Sequence, residues 1–291
     1  MNRRKFLIAS TGLVSTQALA AATAAPAAQN TVSNRKGLRL GTVTYNLARS
    51  WDIETIIKNC TETGFEGVEL RSTHAHGVEI DTPPEHRKEV KQRFEDSPVV
   101  LVQLGSACEF HSPDPAEVRR NIEETKAFVK LAHDVGAPGV KVRPNGLPAG
   151  VPEEKTLEQI GRSLNECGAF ASDHGVEIRL EIHGRETNRI PRIRKMMDYA
   201  HHDHVTLVWN CNEQDLQDDG FEANFNSVKP KIKLVHLRDL YVESYPHRKL
   251  VQMLKDMNYQ GFSLAEVPES SDSIRVMRYY RALWLAYQGL I

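Results

Sequence analysis

Cysteine is sparse and scattered: Cys60, Cys108, Cys167 and Cys211 never approach C-x-x-C spacing. A zinc ribbon and a dithiol redox motif are thereby excluded, and the four read as small buried residues. Charge of one sign is not in excess, since 37 Lys and Arg stand against 38 Asp and Glu. Binding to nucleic acid draws on positive surface to displace counterions, so nucleic acid is not an expected partner. Long apolar runs are missing as well, because the weakly apolar stretch Leu7–Ala22 is too short and too rich in Ala, Ser and Thr to span a bilayer well. No G-x-G-x-x-G follows the first β-rich run and no phosphate loop occurs, which removes the usual nucleotide fingerprints. Nor does a Pro/Ser-rich linker or charge run break residues 38–291, so one domain is expected there.

The N-terminus is set apart from that domain. Arg3-Arg4-Lys5 precedes the Leu7–Ala22 stretch, and small residues follow through Ala28, the order of a cleavable signal. Residues 1–30 resemble a twin-arginine export signal, with 31–37 as a short linker, so a periplasmic or otherwise exported protein is expected, with no stable membrane span once the signal is removed. Loss of residues 1–30 removes Arg3, Arg4 and Lys5 and no acid, leaving 34 basic against 38 acidic side chains, or −4.

From Leu38 onward a short β-rich run, a polar loop and a longer amphipathic segment recur. The candidate strands are Leu38–Val43, Gly67–Arg71, Val99–Leu104, Gly139–Arg143, Val176–Ile182, Val205–Trp209, Ile232–Leu237 and Phe262–Glu266. Their spacing of about 30 residues, with helices between, predicts an α/β chain folded as a single (β/α)₈ barrel. Helix punctuation agrees: Asp52 caps Ile53–Thr63 before Gly64, Asp114-Pro115 opens a helix through Val135 before Gly136, and Pro152 opens one that runs to His174 and Gly175.

A strand of such a barrel is buried on both faces, so charges within it need a destination. In the fifth strand Val176, Ile178, Leu180 and Ile182 share the helix-facing side, which sends Glu177, Arg179, Glu181 and His183 to the lumen. By the same alternation Glu69 and Arg71, Lys141 and Arg143 with Asn145 just beyond, Asn210 and Asn212, His236, and Glu266 point inward. The pairs Glu69–Arg71 and Lys141–Arg143 also fit structural ion pairs in the lumen. The late members converge at the C-terminal mouth, where barrel enzymes carry their chemistry. His201, His202 and His204 precede the sixth strand and belong to the opposite rim, as solvated loop. Glu109 and His111, like His74 and His76, lie in loops over the mouth, as substrate contacts or as plain polar loop. The tyrosines from Tyr241 to Tyr245 fit either a sugar-stacking cover or core packing.

With Gly64-Phe65-Glu66-Gly67-Val68-Glu69-Leu70, Glu181-Ile182-His183-Gly184, Val235-His236-Leu237-Arg238-Asp239 and Gly261-Phe262-Ser263-Leu264-Ala265-Glu266 in strand order, residues 38–291 resemble the xylose-isomerase-like superfamily of sugar isomerases and epimerases. The resemblance implies a divalent metal ion, Mn, Mg, Co or Zn, held by Glu181, Asn210, His236 and Glu266, with Glu181 and Glu266 also the acid/base pair. Position 210 departs from the pattern: an asparagine replaces the expected aspartate, and the histidine often found just after it is missing. The ligand charge falls from −3 to −2, so weaker binding is expected, with Asn212 or Glu213 as substitutes.

Such a constellation supports proton removal beside a carbonyl, with substrate held by Glu69, Glu109, Lys141, Arg143, His183, Asn212 and Arg238. The expected substrate is a small uncharged keto-sugar or sugar derivative, because free sugar phosphates are scarce outside the cytoplasm. The sequence leaves two alternatives: a lyase or dehydratase on an oxidised sugar or keto-glycoside, and a non-catalytic sugar-binding barrel. A homo-oligomer is compatible with it. A DNA-repair role, known in the superfamily, is disfavoured by the acidic balance and by too few histidines and aspartates for a three-zinc cluster.

Overall fold

Eight β-rich runs pair in chain order and close on themselves. They are β1 (Arg39–Val43), β2 (Gly67–Arg71), β3 (Val100–Glu109), β4 (Gly139–Arg143), β5 (Glu177–Glu181), β6 (Val205–Asn210), β7 (Ile232–Leu237) and β8 (Phe262–Ala265). Every pairing is parallel, and β1 closes the ring on β8 with Arg39 opposite Phe262 and Thr42 opposite Ala265. Helices follow each strand: α1 (Ile53–Thr63), α2 (Pro84–Glu95), α3 (Pro115–Val135), α4 (Glu153–Ser172), α5 (Ile190–Tyr199), α6 (Phe221–Val228), α7 (His247–Asp256) and α8 (Ser273–Tyr287). The structure is a computed structural model and describes residues 37–291. The expected signal, 1–30, and all of the expected linker but Gly37 lie outside the described residues. Among the described residues no helix is long and apolar enough to cross a membrane.

The described residues form a single (β/α)₈ barrel, and the caps account for its local boundaries. Asp52 accepts from the Thr55 backbone N–H and Asp114 from that of Ala116, while Gly64 and Gly136 end their helices at φ 73° and 80°, in the left-handed region that glycine enters without a Cβ clash. Two boundaries differ from the sequence expectation by more than one residue. α4 stops at Ser172, two residues before His174. β3 continues five residues past Leu104, because Ser106 Oγ donates to Lys141 O and Glu109 aligns with Arg143, so Glu109 ends a strand and does not lie in a loop.

Two apolar layers frame the site. One lies between strands and helices and contains Val68, Leu70, Val140, Val142, Ile178, Leu180 and Ile182. The other, Val43, Val102, Val208, Leu234, Phe262 and Leu264, lies in the lumen. Alternation along a strand therefore assigns both layers, and the apolar lumen layer shares the barrel interior with the buried polar residues Arg179, Gln103 and Glu69. All four cysteines are buried and unpaired. His201, His202 and His204 sit between α5 and β6, at the rim away from the mouth. There the His204 backbone N–H donates to His202 Nδ1 and the His204 ring binds Val176 O.

Candidate active site

Parallel register brings the ends of β5, β6, β7 and β8 to one depth. Asn210 lies opposite His236, His236 opposite Leu264, and Glu266 follows β8 with its backbone N–H on Leu237 O. One ligand atom from each of Glu181, His236 and Glu266 falls within 4.8 Å of the other two. His236 Nδ1 is 3.2 Å from Glu181 Oε1 and 3.9 Å from Glu266 Oε2. Its other nitrogen, Nε2, is 2.6 Å from Glu69 Oε2. Lys141 reaches in from β4, with Nζ 2.9 Å from Glu181 Oε2 and 3.4 Å from Glu69 Oε1.

These groups set each other's charge. Burial opposes ionisation of Glu181, yet the Lys141 ammonium and His236 outweigh it and hold the carboxyl well below the usual range. The same contest leaves Glu69 at about 2. Burial also opposes charge on His236, but Glu69 and Glu181 carry its pKa to about 10, and burial of Lys141 is overcome by the same two carboxylates. Glu266 goes the other way: burial raises it, and the charge on Glu181 adds to the rise. Two facing carboxyls are thus driven apart, the usual setting for one group that stays ionised and one that exchanges a proton.

The residues fit a divalent cation on three observations. First, Glu181, His236 and Glu266 converge as above. Second, Asn210 Nδ2 donates to Glu181 Oε1 at 3.1 Å while Asn210 Oδ1 is buried without a hydrogen-bond partner, so rotation of the amide would turn an oxygen toward the cluster. Third, the charges close: Glu69, Glu181 and Glu266 against Lys141 leave −2, the charge a divalent ion with a neutral His236 would cancel.

The remaining site residues fall into two groups. Glu69 has no exposed surface, and its Oε2 meets His236 Nε2. Asn212 is buried and its Nδ2 donates to Ile182 O and Asn210 O, and Glu213 is exposed. At the open rim Arg143 and Asn145 both donate to Glu109 Oε1 at 2.5 Å, and Asn145 Oδ1 is 2.9 Å from His183 Nδ1. Arg238 is exposed at the end of β7, 3.4 Å from Asn212 Oδ1. Of the neighbouring histidines, His74 bonds Thr44 Oγ1 and stacks with Tyr45, His76 is buried on Arg71 O, and His111 stands 3.6 Å from Glu109. Tyr241 is largely exposed, whereas Tyr245 is buried and packs with Phe221.

Sequence reading sets Asn145 just beyond Arg143 on the inward side but misses it as the link between Glu109 and His183; its backbone takes a left-handed φ of 59°. It also missed Asp215, which accepts from the Asn212 backbone N–H and the Tyr245 hydroxyl in full burial. Burial pushes this carboxyl up to about 7 against those hydrogen bonds. A folded-state value above the unfolded one gives stability that is complete below about 4 and is lost as pH rises through about 7. Asp215→Asn keeps an acceptor for both donors, so it is expected to match the wild type near pH 4 and to exceed it at pH 8, by about 4 kcal/mol. Urea unfolding of both proteins at the two pH values checks this, and an unchanged difference would remove the titration.

Solved structures of several enzymes share this fold. L-ribulose 3-epimerase aligns at TM-score 0.73 with 16% identity over 87% of this chain and 95% of its own. The 3-keto-D-glucoside 4-epimerase YcjR from E. coli aligns at 0.72 with 15% identity over 86% and 99%. The IolI protein, solved with a zinc atom, aligns at 0.69 with 16% identity over 87% and 98%. At these identities the likeness is one of fold. No curated protein matches the chain by sequence. The family model of the xylose isomerase-like TIM barrel matches residues 57–283, more than three quarters of the chain, and the protein therefore belongs to that family.

Proposed function

We propose that the protein is a sugar epimerase or isomerase that removes and returns a proton beside the carbonyl of an uncharged keto-sugar or sugar derivative. The observation that carries this reading is the pair Glu181 and Glu266 around His236, one carboxyl held ionised and the other raised toward exchange with a bound substrate. Glu181, His236, Glu266 and the Asn210 amide oxygen would hold a divalent ion, Mn²⁺, Mg²⁺, Co²⁺ or Zn²⁺. Such an ion acidifies the C–H next to a carbonyl and offsets negative charge that develops on oxygen. The chain's own residues do the rest. Glu181, kept anionic by Lys141, and Glu266 lie on different strands, so a proton can leave one face of the substrate and arrive at the other. Glu109, Arg143, His183 and Arg238 line the rim where hydroxyls would be oriented. Export through the twin-arginine route, resting on Arg3-Arg4, favours a substrate without phosphate.

Incubation with keto-sugars in ²H₂O, including D-fructose, L-ribulose and a 3-keto-glucoside, is expected to place deuterium at the carbon beside the carbonyl. No incorporation across the panel would end the proposal, and release of water or aglycone would identify elimination in its place. The asparagine at position 210 supplies a second expectation. Asn210→Asp adds the missing negative charge and should tighten Mn²⁺ by about 10–100-fold, read by calorimetry. Equal affinity would mean that the side chain at 210 does not reach the ion.

A further inference from the structure

Beneath the mouth, four buried side chains form a line up the lumen. Arg179 NH1 donates to Gln103 Oε1 at 3.2 Å, Gln103 Nε2 donates to Glu69 Oε2 at 2.6 Å, and Glu69 Oε2 accepts from His236 Nε2–H at 2.6 Å. Arg179 is 7% exposed, and Gln103, Glu69 and His236 have no exposed surface.

Each link fixes the next. The guanidinium can only donate, so it commits Gln103 Oε1 as acceptor and turns the Gln103 amide nitrogen toward Glu69. Arg179 is itself held by Glu177 Oε2 at 2.9 Å and Val102 O at 3.2 Å, and the amide cannot flip without facing nitrogen to guanidinium. With two donors on one oxygen, Glu69 is set as an acceptor for His236 Nε2–H, and Nδ1 is the nitrogen that faces Glu181 and Glu266.

The surrounding backbone is shaped around this line. A methyl group at Gly105 would fall on Glu69 Oε1, and one at Gly139 would lie 2.6 Å from Arg179 Nε, so the barrel leaves side-chain volume empty at two positions to admit these polar groups. An irregular β2–β3 register supplies Gln103: Val68 pairs with Leu101 but Glu69 with Gln103, so Val102 is an extra residue and Gln103 meets Glu69 in the lumen.

We propose that Gln103, oriented by Arg179, is a positioning residue that acts through Glu69 to fix His236 with Nε2 protonated and Nδ1 presented to the carboxylate pair. The consequence for ion affinity rests on the divalent-ion reading above. The constraint on the imidazole does not.

The test uses the whole protein and Gln103→Met, which preserves length and removes the donor. In metal-free protein labelled with ¹⁵N-histidine, the wild type should show a slowly exchanging Nε2–H proton that disappears in His236→Asn. In Gln103→Met that proton should exchange too fast to be seen, and Co²⁺ affinity by calorimetry should fall about 10–100-fold. Should Gln103→Met fail to fold, Arg179→Lys carries the same two readouts, because it keeps positive charge beside Glu177 but loses the planar fork. A protected proton in the variant together with Co²⁺ affinity within threefold of wild type would overturn the proposal. If the wild type binds no Co²⁺, the ion reading fails, and the exchange of the Nε2 proton alone decides the role of Gln103.

Discussion

Glu181→Gln is expected to lower kcat/KM by about a thousandfold or more, to abolish measurable Mn²⁺ binding, and to destabilise the metal-free fold. On the proposed reading one substitution removes both a ligand and half of an acid/base pair, and general acid/base groups alone contribute about 10²–10⁴-fold. The stability loss has a separate cause. Lys141 is 5% exposed and has Glu181 at 2.9 Å, with Glu69 farther at 3.4 Å. Taking away the nearer anion leaves a buried ammonium half compensated, which costs about 3 kcal/mol, near the lower end for broken buried pairs because Glu69 remains. Glu266→Gln supplies the contrast. Its carboxyl is partly exposed, its pKa is already raised, and its ion contact with His236 spans 3.9 Å. Activity should fall comparably while the urea midpoint stays near that of the wild type. A Glu266→Gln protein less stable than Glu181→Gln would show that the Lys141 ion pair is not what the buried charge on Glu181 is for.

How far the sequence foretold this arrangement follows from where alternation holds. In β5 every second residue from Glu177 to Glu181 points into the lumen, and β7 and β8 end their inward faces on His236 and Glu266, so their convergence was readable from spacing alone. It failed where the backbone breaks the period. The extra residue at Val102 turns Gln103 toward Glu69, and no two-residue repeat in Val99–Leu104 signals this. Depth was the second blind spot: alternation gave Glu69 its direction but not that His236 would cover it from above. Loop residues were the third. Asn145 and Asp215 act through backbone conformation and capping after β4 and β6, and those depend on partners distant in sequence, Glu109 and Tyr245.

Ion binding should be steeply pH-dependent, in the direction set by His236. In the metal-free protein the imidazole is a cation between Glu69 and Glu181 with a pKa of about 10. Being raised above the unfolded value of about 6.5, it gives stability that is complete below about 6.5 and is lost as pH climbs through about 10. A divalent ion needs the Nδ1 lone pair and so must expel that proton. Affinity for Mn²⁺ should therefore rise about tenfold per pH unit, or about a thousandfold from pH 6 to pH 9, with one proton released per ion bound. At the acid end Glu266, whose pKa is also raised, adds a second proton to the exchange and steepens the slope. The two effects on stability oppose each other, so the gap in melting temperature between Mn²⁺-loaded and metal-free protein should widen with pH even as the metal-free protein weakens. Calorimetry in buffers of different ionisation enthalpy counts the protons. A flat affinity between pH 6 and pH 9 would mean that His236 gives up no proton to the ion, and that the imidazole is instead a fixed cation of the lumen, paired for good with Glu69.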